Sequence, residues 1–236
     1  MDFIGAYSVG NLSYLLKGFL ITLEVAVISI ILSFVIGSLL GTLRYAKIPV
    51  SSKIVAVIVE TIRNSPLLLI IFFSYFGLRE VGLKLEIMPA AIMALTIFES
   101  AMISEIVRSG LNSIEKGQIE AARSSGLTYI QTMWHIILPQ ALKRMIPPLV
   151  SQFISLLKDT SLAVVIALPE MLHNAQGIYN GNVTYVIPIF ILVALIYFIV
   201  NYCLSLVARA LEKRLDTNQK DGKNGNRRIR AASLSG

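Results

Sequence analysis

The residues of this 236-residue chain best placed to do chemistry are the ionisable side chains that interrupt its long apolar runs. Glu60 and Arg63 stand three positions apart, as do Glu105 and Arg108. At that spacing two side chains meet on one helix face. Glu99 has no cation in such a place, and Lys158 and Asp159 are adjacent, so they point about 100° apart on a helix. A charge at the middle of a membrane helix costs roughly 2.5–3.5 kcal/mol on insertion scales, and it therefore faces a polar cavity or a counter-charge. At ~1.5 Å per residue across a ~30 Å core, Arg63 lies about 14 Å from the inner end of its run. Glu99 is about 18 Å from the outer end of its run, and Asp159 about 21 Å from the inner end of its own. Three runs thus place a charge near mid-membrane. Glu60–Arg63 and Glu105–Arg108 are expected to be internal ion pairs that lower the cost of insertion. Glu24 lies near the outer interface, where it reaches water.

Five membrane spans must position these groups. Hydrophobic residues make up 55% of the chain and charged ones only 15%, with a mean hydropathy of +0.71. An ordinary soluble domain carries about 25% charged residues. Several apolar runs exceed the ~18 residues that mark a spanning helix. The spans are drawn at residues 18–43, 54–78, 87–109, 145–168 and 186–208, after an extracytoplasmic segment 1–17. The third and fourth are joined by a long connection, 110–144, and a basic tail follows at 209–236. The fold class is all-α and integral to the membrane. A cleavable leader is not expected, because residues 1–16 lack a basic leading region.

Connecting segments on one side hold sixteen Lys and Arg, from Arg44 to Arg230, against Lys17, Arg79 and Lys84 on the other. That asymmetry predicts the N-terminus outside and the C-terminus in the cytoplasm. The net charge of +7 comes largely from the Gly- and Asn-rich tail, read as disordered beyond about Asp216. The tail is taken as a cytoplasmic juxtamembrane segment, with no nucleic-acid partner. Cys203 is alone and His135 and His173 are far apart, so neither a disulfide framework, a metal site nor a nucleophile–base pair is expected. Phe72, Phe73, Tyr75 and Phe76, with Tyr179 and Tyr185, fit an outer aromatic belt. Ser29, Ser33, Gly37 and Gly41 recur every fourth residue, which lets a second helix approach closely.

The 110–144 connection is too polar to cross the bilayer. Glu120, Ala121, Ala122 and Arg123 favour helix, and Gly126 is placed to stop it. Two exposed alanines make a shallow face that another protein's groove can grip; from spacing alone the alternative is an amphipathic cytoplasmic loop lying on the membrane.

The pattern Glu120-Ala121-Ala122, three residues, Gly126, nine residues, Ile136, Leu138-Pro139 resembles the signature of the permease subunits of ATP-binding-cassette importers. Arg63-Asn64-Ser65-Pro66, Phe98-Glu99-Ser100-Ala101 with Glu105 and Arg108, and Lys158-Asp159-Thr160-Ser161 are similar to segments of the polar amino acid uptake branch. Met102 departs from the tyrosine usual there. The resemblance covers roughly residues 15–215 and implies the type I importer permease fold. It also implies partners: two ATPase subunits, a second permease copy (identical or closely related), an extracytoplasmic amino-acid-binding protein and membrane lipid. The helix at Glu120, Ala121, Ala122 and Gly126 is then the coupling helix. The chain lacks a G-x-x-x-x-G-K-[ST] sequence, so ATP and Mg are expected on the separate ATPase, with no cofactor, metal or catalytic residue on this chain.

Under that resemblance Glu99 and Asp159 become the candidates for substrate contact. Asn64, Ser65, Gln152 and Thr160 are expected to hold an amino acid's α-amino and α-carboxylate groups. Two carboxylates in the chamber favour a basic substrate such as arginine, lysine or histidine. The alternative is a glutamine, glutamate or cystine importer of the same family. An ion-coupled secondary carrier fits less well, because five spans show no inverted repeat.

Overall fold

The computed structural model describes residues 1–232, with side chains through Ala210 and at Lys213. Among the described residues the secondary structure is helical throughout. A short turn, α1 (Phe3–Ala6), precedes the 37-residue α2 (Val9–Tyr45). The broken pair α3 (Ser51–Arg63) and α4 (Leu67–Glu80) follows. Next come α5 (Ile87–Asn112), α6 (Lys116–Ser124), α7 (Tyr129–Ile166), α8 (Met171–Gly181) and α9 (Val186–Ala232). Four helices are long and apolar enough to cross a membrane, or five when α3 and α4 count as one span. The expected disordered tail, 209–236, falls mostly on residues whose side chains are not described, and 233–236 lie outside the described residues.

Two departures from the expected spans bear on the site. The second span is not one straight helix: α3 and α4 meet at 101°. Pro66 has no N–H to donate and disfavours helical backbone at Ser65. Ser65 Oγ then donates to Thr61 O at 2.8 Å, a carbonyl the ended helix leaves open, and Asn64 Nδ2 adds a second donor, at 2.7 Å, to the Glu60 O that its own N–H already reaches. The fourth span also begins earlier than 145. Helix runs from Tyr129 through a π-turn at Met133–Ile137 and on across Pro147 and Pro148. It starts there because Thr128 and Gln131 form a reciprocal capping box that satisfies two free amides.

The small-residue stripe of α2 packs on α5, the most extensive helix pair of the fold. A Cβ added at Gly37 would sit 2.7 Å from Ile103 Cβ, and one at Gly41 would sit 2.6 Å from the Ser104 carbonyl. Nothing larger than glycine allows that approach without a shift. Two apolar clusters flank the contact. One gathers Val25, Leu67, Ile71, Leu95 and Ile166. The other gathers Ile103, Val107, Leu111, Ile137 and Met145. Glu99 lies on α5 between Leu95 of the first and Ile103 of the second, so the fold sandwiches a polar layer between two greasy ones.

Candidate functional site

Within that layer Glu99 is fully buried. Gln152 of α7 donates from Nε2 to both carboxylate oxygens, at 3.2 and 3.0 Å. Asp159, two turns further along α7, is half-buried and close enough to bear on Glu99 electrostatically. Its carboxylate makes no hydrogen bond or ion pair among the described residues, and the adjacent Lys158 acts on it electrostatically. Thr96, Ser100 and Ser104 add buried hydroxyls from α5, and none of the three has a hydrogen-bond partner among the described residues. These hydroxyls escaped the sequence reading because serine and threonine are common in membrane helices and carry no spacing signal of their own.

The other expected contact residues are placed differently. Thr160 is buried and its hydroxyl donates to Leu157 O at 2.8 Å. Asn64 and Ser65 turn back onto α3 at the break, as described above, so no hydrogen bond joins them to Glu99 or Asp159. Glu99, Gln152 and Asp159, with the hydroxyls of Thr96, Ser100 and Ser104, are thus the polar groups that α5 and α7 bring to this layer.

A second cluster lies nearer the α6 end of α5. Glu105 on α5 receives Arg44 Nη1 of α2 at 2.9 Å, Arg63 Nη1 of α3 at 3.6 Å, and Arg108 of its own helix through Nε at 3.1 Å and Nη2. Glu60 meets Arg44 Nη2 at 3.9 Å. The expected internal pair Glu60–Arg63 is thus corrected. Glu105 is only 22% exposed against 64% for Glu60, and the more sheltered carboxylate collects the cations of three helices. Glu105 and Arg108 do pair within α5. Sequence spacing missed Arg44, which looks like a loop cation at the end of α2 but is buried.

The third feature is α6. It ends in a Schellman motif: Leu127 N–H donates to Ala122 O at 3.2 Å and Gly126 N–H to Arg123 O at 3.1 Å. Gly126 has φ +88°, a conformation glycine adopts without steric cost. Ala122 is buried while Ala121 is exposed. The expected pair of exposed alanines is therefore corrected to one. The reason is helical phase: Ile119 packs on the apolar cluster of Ile103, Ile137 and Met145, and Ala122, three residues on, shares its face. Gly117, Glu120, Ala121 and Ser124 share one exposed face, and Lys116, Gln118 and Arg123 are exposed beside it. Gln118 accepts from Gln140 Nε2 at 2.7 Å, and Arg144 donates to Ser113 O, so the first turn of α6 and the link before it are fastened to α7.

Residues 33–217 match the family of binding-protein-dependent transport system inner membrane components. The chain belongs to this family. It is 70% identical to a probable glutamine ABC transporter permease protein of Bacillus subtilis (strain 168), over 91% of this chain and 99% of that one. A second probable glutamine permease of the same organism is 44% identical over 87% of this chain and 95% of its own length. Among solved structures, an amino acid ABC transporter crystallised with histidines superposes with a TM-score of 0.85 at 29% identity, covering 91% of this chain and 99% of that one. The chain is accordingly an amino acid ABC importer permease, a membrane component and not an enzyme, with the type I importer fold. Permeases of this family work with ATPase subunits and a substrate-binding protein, and they reside in the inner membrane.

Proposed function

We propose that this permease passes glutamine through a chamber formed by Glu99, Gln152 and Asp159, at the interface of two permease copies. The observation that carries the choice of substrate is the Glu99–Gln152 pair. Both carboxylate oxygens accept from the one Gln152 amide, and the fully buried Glu99 is held within the protein and not presented to a cationic side chain. The earlier expectation of a basic amino acid needed two free carboxylates, and one is left. The glutamine names of the relatives at 70% and 44% identity support the same choice. A carboxamide substrate pairs naturally with Asp159, which accepts, and with the layer's hydroxyls, which donate and accept.

In this reading the N-terminus is outside and the C-terminus cytoplasmic, as the Lys and Arg asymmetry supports. ATP and Mg sit on the ATPase subunits. The exposed face of α6, with Glu120, Ala121 and the Gly126 stop, seats in a cleft of the ATPase, and nucleotide-driven closure rocks the two bundles to alternate access. The small side chains at Gly117 and Ala121 support this, since they let a groove close on the helix backbone. The test is uptake of radiolabelled glutamine, glutamate and arginine by the full complex in proteoliposomes, with its binding protein outside and ATP inside. Glutamine is expected to enter fastest and to compete with the others. Preferential uptake of arginine or glutamate would overturn the assignment.

A further inference from the structure

We propose that Glu105 is a positioning residue for coupled transport: it is the joint through which movement of α6 bends the broken α3–α4 span. The inference rests on the reading of α6 as the ATPase-coupling helix. Only three residues separate α5 from α6, and they form a stiff link. Ser113 N and Oγ both donate to Gly110 O, Arg144 holds the Ser113 carbonyl, and Ile114 is buried in the apolar cluster of Ile103, Ile137 and Met145. A push on α6 therefore moves the inner end of α5. Glu105 stands about 10 Å up that helix.

From there the connection to α3 is polar. Arg63, the last residue of α3, reaches Glu105, and Glu60 reaches Arg44, which itself donates to Glu105. Apolar anchoring of α3 is sparse, because Val59 is its one buried residue. Besides its packing on α2 and α5, α3 is joined to them by these two ion contacts, and the one at Arg63 lies next to the break. Beyond Arg63 the backbone turns through 101° into α4, and α4 packs in the outer cluster through Leu67 and Ile71. The chain of contacts α6, α5, Glu105, Arg63, α3 and α4 runs from the cytoplasmic helix to the outer half of the molecule, past the Glu99 layer.

Arg63→Met cuts the arm to α3 while leaving Arg44 and Arg108 on Glu105. Glu105→Asp keeps the charge and shortens the reach. In the reconstituted complex, Arg63→Met is expected to hydrolyse ATP within about twofold of the wild-type rate but to move at least tenfold less glutamine per ATP. Glu105→Asp is expected to be intermediate. A spin-label pair across the break, at the exposed Val57 of α3 and Phe73 of α4, in a Cys203→Ser background, is expected to change separation on vanadate trapping in wild type and not in Arg63→Met. Glu120→Lys serves as the control for the coupling reading and is expected to abolish uptake. If Glu120→Lys transports normally, the coupling reading fails. If Glu120→Lys is dead while Arg63→Met keeps the wild-type amount of glutamine per ATP, the joint fails alone. A parallel fall of hydrolysis and uptake in Arg63→Met, with loss of assembled complex, marks a purely structural role and also overturns the proposal.

Discussion

Replacing Gly37 by alanine tests the packing on which the chamber depends. The added methyl would lie 2.7 Å from Ile103 Cβ and 2.8 Å from the Ser100 carbonyl oxygen, about 0.8 Å short of ordinary carbon contact. Neither neighbour can rotate away, since one is a Cβ and the other is backbone. Helices α2 and α5 must separate, and the separation is felt at Ser33 and Gly41 as well. Overpacking of this kind costs about 1–3 kcal/mol, against a gain of about 1 kcal/mol from replacing glycine in a helix. Gly10 lies in the same helix with nothing within 4 Å of an added Cβ, so Gly10→Ala keeps the gain without the clash. Because the gain is common to both, the two variants are expected to differ by the overpacking cost, about 1–3 kcal/mol, or roughly 2–12 °C in apparent Tm for a chain of this size. Heating in detergent followed by size-exclusion analysis of the surviving monodisperse fraction measures the difference. Equal melting of Gly37→Ala and Gly10→Ala would refute the close-approach reasoning.

Other outcomes follow from the same geometry. Gln152→Leu strips Glu99 of the hydrogen bonds to its carboxylate; a loss of about 1–3 kcal/mol of stability and a larger loss of glutamine uptake are expected, both read on the purified complex. Gly126→Arg forces a side chain into φ +88° and unwinds the α6 stop; uptake is expected to vanish while membrane insertion, read by protease protection, is unchanged. Glu170, fully buried at the N-terminus of α8, accepts from Leu172 N at 2.8 Å and His173 N at 2.7 Å. Burial nevertheless pushes its carboxyl up to about 7. A folded pKa above the unfolded one means the folded protein holds the proton more tightly, so this contribution is complete below about 4.5 and is lost as pH rises through about 7. Thermal stability is expected to fall between pH 5 and pH 8, and Glu170→Gln is expected to flatten that slope; an unchanged slope would exclude Glu170 as its source.

The spans were legible because length and hydropathy are local properties, and a run of 20 apolar residues has few other fates. The small-residue stripe was legible for the same reason, as a fixed interval within one helix. The break at Asn64-Ser65-Pro66 was visible in principle. The apolar run hid it, since membrane helices tolerate proline. What sequence could not supply was partnership between helices. The spacing of Glu60 and Arg63 allowed an internal pair, yet Arg63 turned to Glu105, because a partly sheltered carboxylate on another helix offers a stronger interaction than an exposed one on its own. Gln152 joined Glu99 across 53 positions, and no periodicity reports that. The buried side of α6 was misjudged because Ala121 and Ala122 are alike in type and differ only in helical phase.

The central claim is that α6 is the point at which a separate ATPase grips this permease. Site-specific photocrosslinking from Ala121, in membranes containing the full complex, tests it most directly, with the exposed Leu20 of α2 as the lipid-facing reference. A covalent adduct to the ATPase subunit from Ala121, absent from Leu20 and lost in Glu120→Lys, is the predicted result. Adducts from Ala121 to lipid alone would contradict it.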